Sequence, residues 1–224
     1  MKTFGALLLA ILINQTAGAA ERLTKKQIVT HHFDGLIIDE RKAGTTRLEN
    51  IEFDLMSGVS KKIDTCSEVN NLNSNNVAHF EFYRFRTLQM ACKAVDLYVS
   101  AKNANKSSFP KQLSVSWLKS IPANTAPFLS REEFNLRKNK SVDDYYSKGT
   151  VSVDNDKFKL LTTTDEIYFT VLARGDFSNN GIEDILIQTD WASREASGVH
   201  ADLVILSQNS QKSPTYISWR FNQI

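Results

Sequence analysis

Five residues in the run RGDFSNNGIEDILI, positions 174–187, have the types and spacing of a cation-binding loop. Asp176, Ser178, Asn180, Gly181 and Asp184 stand at relative positions 1, 3, 5, 6 and 9. Oxygen-bearing side chains at alternate positions of a tight loop converge on one centre, the glycine permits the bend, and a later carboxylate closes the cage. Calcium takes about six to eight such oxygens, and the backbone carbonyl of Ile182 would supply one more. Asp176 and Asp184 are the two carboxylates expected to face the ion, unless Glu183 joins them. So few anionic ligands suit an extracellular-grade affinity, on the order of 10⁻⁴ to 10⁻³ M. The competing reading of the same residues is a hairpin turn closed by its own side-chain hydrogen bonds. No histidine joins the loop, which argues against a catalytic metal there.

The stretch resembles the calcium loop of FG-GAP-type repeats, the D-x-[DN]-x-[DN]-G-x-x-D element between two strands of integrin-like propellers and of many secreted bacterial proteins. Asp176-Phe177, Asn180-Gly181 and Glu183-Asp184-Ile185-Leu186-Ile187 carry the likeness. The resemblance implies a metal role for Asp176, Asn180 and Asp184, while Ser178 stands where that family has Asp or Asn. It covers about 14 residues, and no repeat of roughly 20–50 residues accompanies it, so a solenoid or full propeller is not implied. Arg174-Gly175-Asp176 also spells an adhesive tripeptide, but Asp176 is better explained by the loop.

Downstream, residues 190–198 (DWASREASG) read as a long connection between two strands. Loops on a rigid sheet often carry binding function, and Trp and Arg are enriched at interface hot spots. Trp191, Arg194 and Glu195 are therefore candidate protein-contact residues, with core packing as the competing role for Trp191. A nucleophile elbow, a zincin helix, a P-loop and a dinucleotide fingerprint are all missing from the sequence. His31 and His32, if on a strand, face opposite ways and cannot hold one metal together. His79 precedes a helical stripe, and His200 near Asp202 reads as a surface pair. No catalytic residue is assigned.

The chain opens with Lys2, the apolar run FGALLLAILI at 4–13, and Ala17-Gly18-Ala19-Ala20. That order is the pattern of a secretory signal peptide, cleaved after Ala19 or Ala20. The apolar run is about half of what a membrane-spanning helix needs, so no stable membrane insertion is expected after cleavage. Without Lys2 the mature chain has 26 basic against 25 acidic residues, a net charge of +1. Such a balance argues against nucleic acid as the main partner, because phosphate binding needs a cationic excess. In an oxidising compartment Cys66 and Cys92 are expected to form a disulfide. Closing that loop is worth about 3 kcal/mol in the chain-entropy view.

The elements that must position these residues read as follows. Residues 32–39 and 47–56 are expected strands paired across a turn at 41–46, and the asparagine-rich 70–76 is a loop. A helix is expected at 77–102, with Phe85, Leu88, Cys92, Val95 and Val99 on one face. Ser130 and Glu133 frame a short helix at 131–137. From Gly149 the period becomes two, with strands at 157–161, 166–174, 182–191, 201–207 and 215–221. The expected fold class is α+β, one long helix packed on a mostly antiparallel sheet or meander. A single domain at 21–224 would comprise a helix-containing half (21–148) and a β half (149–224).

Together these features favour an exported, periplasmic or secreted binding protein, of which an inhibitor or immunity-type protein whose partner is a toxin or an envelope enzyme is one concrete form. The rival classes are a hydrolase of envelope polymers, in which Ca2+ in the 176–184 loop is structural, and a calcium-dependent adhesion or sensor module.

Overall fold

The computed structural model describes residues 25–38 and 45–222. The export segment 1–20, residues 21–24 and most of the expected turn at 41–46 lie outside the described residues. In chain order the strands and α-helices are β1 (Gln27–Ile28), β2 (Leu36–Ile37), β3 (Arg47–Asp54), β4 (Ser60–Thr65), α1 (Cys66–Asn71), α2 (Phe82–Ser100), α3 (Val115–Ser120), α4 (Arg131–Arg137), α5 (Val142–Tyr145), β5 (Thr150–Asp154), β6 (Lys157–Leu161), β7 (Asp165–Gly175), β8 (Asp184–Ser193), β9 (Val199–Ser207) and β10 (Tyr216–Arg220).

The α+β expectation is corrected: the chain is mostly β, with 38% of the described residues in strands against 28% helical. One sheet is a sequential antiparallel meander, β10-β9-β8-β7-β6-β5, and the other is the antiparallel trio β2-β3-β4. Among the described residues, only α2 and α4 reach seven residues. The expected helix at 77–102 is cut back to Phe82–Ser100 by tertiary hydrogen bonds at both ends. At its start the Ala78 amide donates to the Asp54 carbonyl (2.8 Å) and Val77 bridges Leu55, so that stretch is extended. At its end Lys102 bridges Asp176. The strands β4 and β5 are unexpected additions, and both are largely exposed. Without a buried face, their side chains show little apolar alternation.

The helix α2 lies between the two sheets, and its apolar stripe divides accordingly. Phe85, Leu88 and Cys92 pack on Phe53, Ile63 and Val69 of the small-sheet side. Met90, Ala94, Val95 and Tyr98 pack on Leu172, Leu186, Leu203 and Ile205 of the meander. The opposite face of the meander buries Phe158, Phe169, Ile185 and Ile187 against Trp117, Leu118 and Ile121. Period-two alternation in β7–β9 is blurred because both faces of these strands are covered.

Local chemistry explains several boundaries. Ser130 accepts from the Glu133 amide at the start of α4, and the Glu133 carboxylate accepts from the Leu129 amide, so the expected helix at 131–137 forms. Thr65 and Glu68 make a reciprocal capping box that starts α1 at Cys66, and the helix runs into the first two residues of the expected loop at 70–76. Cys66, at the first turn of α1, is disulfide-bonded to Cys92 of α2.

The expected strand at 32–39 is also corrected. Its first residue belongs to a short 3-10 turn, Thr30–His32, and only Leu36–Ile37 is strand, paired with β3. Gly35 sits at φ +80°, outside the extended region that a continuous strand requires. The reason the turn forms lies in β7, whose one edge is shared. The strand β6 pairs with residues 166–170 and β1 with residues 173–174 of that edge. The chain leaving β1 therefore runs into the β5–β6 turn and must bend away.

Candidate functional site

The loop between β7 and β8 closes through its own carboxylates. Asp176 accepts from the amides of Asn180 (3.0 Å) and Gly181 (2.9 Å), one on each oxygen. One oxygen of Asp184 accepts from the amides of Phe177 (3.1 Å) and Ser178 (3.0 Å), and the other from the Ser207 hydroxyl (2.6 Å). The Asn180 side chain accepts from the Ile182 amide (2.7 Å). Asp176 and Asp184 are buried, whereas Ser178 and Asn180 are exposed. Burial pushes the Asp184 carboxyl up, against the hydrogen bonds from Ser207 and Ser178. Glu183 is engaged elsewhere, by the Arg174 guanidinium (2.7 Å) and the Ser107 hydroxyl (2.6 Å). The loop is also pinned from outside, because the Asn105 amide donates to the Gly181 carbonyl (2.8 Å). Gly181 favours glycine because its φ is +80°, a conformation that L side chains rarely adopt.

The expected connection at 190–198 is strand over its first four residues. The β8–β9 hairpin runs on through the pairs Trp191↔His200 and Ala192↔Val199, so only residues 194–198 lie outside it. Half-buried Trp191 packs against the core and donates from Nε1 to Asp165 (2.8 Å). The Arg194 guanidinium donates to the Thr162 carbonyl (2.8 Å), fixing the hairpin tip to the β6–β7 turn. Glu195 is exposed at that tip, where its amide donates to the Ser193 hydroxyl.

A recess absent from the sequence reading lies beside this hairpin. The first buried residue of α2 is Phe85, so Phe82 and Tyr83 project beyond the covered part of the helix. Phe82, Tyr83 and Arg86 face Val199, His200 and Asn222 around a cavity of about 350 Å3. Val199 is 50% exposed, Phe82 45% and Tyr83 39%, an apolar rim on a polar floor. Arg86 is held by Gln89 (2.8 Å) and Asn222 (2.6 Å), with its guanidinium over the Phe221 ring. The Tyr83 hydroxyl donates to Asp190 (3.3 Å), which also accepts from Gln188 (3.0 Å). Burial pushes the Tyr83 phenol up to about 12, with Asp190 adding to the rise. Burial likewise raises Asp190, against its hydrogen bonds. The sequence signal for this rim was the aromatic pair Phe82-Tyr83, which leads into the inward stripe of α2 without being covered by it.

Burial also pushes the His200 imidazole below its ordinary value, against the attraction of Asp202. A depressed histidine stabilises the fold above its unfolded value, and that contribution is lost as pH falls through the folded one. Denaturant unfolding at pH 7.5 and pH 5 is therefore expected to show a smaller acid loss in His200→Gln than in the parent. An equal loss in both would assign the acid sensitivity elsewhere.

Comparison with known protein families, curated proteins and solved structures found no match to this chain.

Proposed function

We propose that this is an exported binding protein, periplasmic or secreted, that holds another protein at the recess between the start of α2 and the β8–β9 hairpin. The observation that carries this reading is the exposed trio Phe82, Tyr83 and Val199 lining a polar-floored cavity of about 350 Å3. Aromatic side chains around a pocket are the usual composition of an interface centre. The partner is expected to insert an apolar side chain there, with Arg194 and Glu195 at the hairpin tip forming part of the polar rim. Trp191 supports that hairpin from the core side. A toxin or an envelope enzyme suits such a partner, as in an inhibitor or immunity-type protein. The Cys66–Cys92 disulfide is compatible with an oxidising compartment, and no helix among the described residues is long and apolar enough to cross a membrane.

Photo-crosslinking from position 199, on the cavity wall, in a periplasmic extract is the direct test. One dominant adduct is expected, and Phe82→Asp with Tyr83→Ala should weaken capture by about 30-fold or more, as loss of a hot spot does. Val153→Asp, on the outermost strand of the meander, should leave it unchanged. Equal capture by the recess and control variants would refute the site.

For the 176–184 loop we favour a self-closed turn over a calcium cage. All four carboxylate oxygens of Asp176 and Asp184 already accept protein donors. A site with Kd on the order of 10⁻⁴ M would add about 1.4 kcal/mol at roughly 1 mM calcium, or about 3–6 °C in Tm. The expected shift between calcium and chelator is below about 1 °C, and one of the larger size would restore the calcium cage.

A further inference from the structure

The geometry points to a binding site for one divalent transition-metal ion of the zinc type, formed by His31, His32 and Asp156. His32 Nε2 stands 2.8 Å and His31 Nε2 3.6 Å from the same oxygen of Asp156. One ligand atom from each of the three lies within 4.8 Å of the others. Two ligands on a tetrahedral zinc with bonds of about 2.0–2.1 Å stand roughly 3.4 Å apart. Small side-chain rotations therefore bring these atoms onto one ion. Among the described residues, this is the group of three metal-ligating side chains that meets such a criterion.

The convergence is built by the backbone rather than by chance contact of long side chains. Adjacent histidines on a strand point to opposite faces. Here they occupy the Thr30–His32 3-10 turn, and their ring centroids are 4.1 Å apart. The turn is anchored to β7 by the Val29 amide donating to the Leu172 carbonyl (2.9 Å). Asp156 is anchored to the same strand by the Val171 amide donating to its carbonyl (2.9 Å). The shared edge of β7 thus presents both halves of the site at one point.

The ligand set selects the metal. Two imidazole nitrogens and one carboxylate oxygen suit zinc and its first-row neighbours, whereas calcium takes oxygen ligands only. Three protein ligands leave one tetrahedral position for water or an incoming group. That position is accessible, since the His31 side chain is 68% exposed and those of His32 and Asp156 are 19% and 22% exposed. His32 also lines a hollow of about 370 Å3 that includes Asp34, and Asp156 lines another of about 240 Å3. Bound metal would clamp the N-terminal segment onto the β5–β6 turn.

Calorimetric titration of tag-free, chelator-stripped protein with zinc chloride tests this. A single ion per chain is expected, with no heat from calcium chloride. His31→Ala and Asp156→Asn should each weaken binding by about tenfold or more. His79→Ala removes another exposed histidine and should leave binding unchanged. His31→Ala should unfold in chelator at the parental temperature, because its side chain is largely exposed, while losing the zinc-dependent rise in Tm. Absence of zinc binding, undiminished affinity in His31→Ala, or loss of binding in His79→Ala would each overturn the site.

Discussion

Asp202→Ala is expected to lower stability by about 3–5 kcal/mol, the cost of stranding one partner of a buried ion pair. In a chain of this length that is a Tm loss of roughly 6–20 °C. Asp202 on β9 and Arg220 on β10 are paired with side chains 2% and 10% exposed. Asp202 also accepts from the amides of Leu203 (2.8 Å) and Asn222 (3.2 Å), and Arg220 donates to the Asn124 carbonyl. Removing the carboxylate leaves a buried guanidinium and two amides without their acceptor. Burial is the largest influence on both partners, pushing Asp202 up and Arg220 down, each toward its neutral form. The desolvation cost of a buried ion pair commonly offsets its attraction, so the pair itself is expected to add little net stability. The double variant Asp202→Leu with Arg220→Met should recover most of the loss, falling short by the unpaired amides. Equilibrium denaturation of the three proteins decides this. A double variant no more stable than Asp202→Ala would mean that the attraction wins.

Removing the disulfide should cost about 3 kcal/mol, or roughly 6–12 °C. The bond joins Cys66 to Cys92 across a sequence separation of 26. It fastens the short helix α1 to α2, which otherwise meet through Val69, Phe85 and Leu88. An α-helix of six residues has no independent stability, so without the bond the small sheet should open before the meander does. Both cysteines are fully buried, and reduction of the folded protein should be slow. The comparison is therefore best made with Cys66→Ala/Cys92→Ala, following thermal unfolding and hydrogen exchange. Uniform loss of protection in both sheets would contradict the expected order of opening.

The sequence by itself determined the features whose causes are local. Two cysteines in an otherwise cysteine-free chain left one intramolecular pairing. Segments rich in β-branched and aromatic residues, punctuated by turn residues, marked the long strands from Gly149, because that composition lies along each strand's own length. Ser130 and Glu133 marked α4, since a cap acts over three residues. The positions of the 176–184 loop were also legible, because the amides that close onto Asp176 and the pair that close onto Asp184 lie within it. Only the tertiary structure decided the balance toward β and the two places where function is assigned. The exposed strands β4 and β5 acquire their conformation from hydrogen bonds to a neighbour, which apolar patterning does not report. The recess joins α2 to a hairpin more than a hundred positions away, as the Tyr83–Asp190 contact shows with a separation of 107. His31 and His32 read as divergent on an assumed strand, and they converge on Asp156, 124 positions from His32, because two strands compete for one edge of β7. Competition of that kind depends on which segments pair in the folded sheet, and a linear pattern carries no record of it.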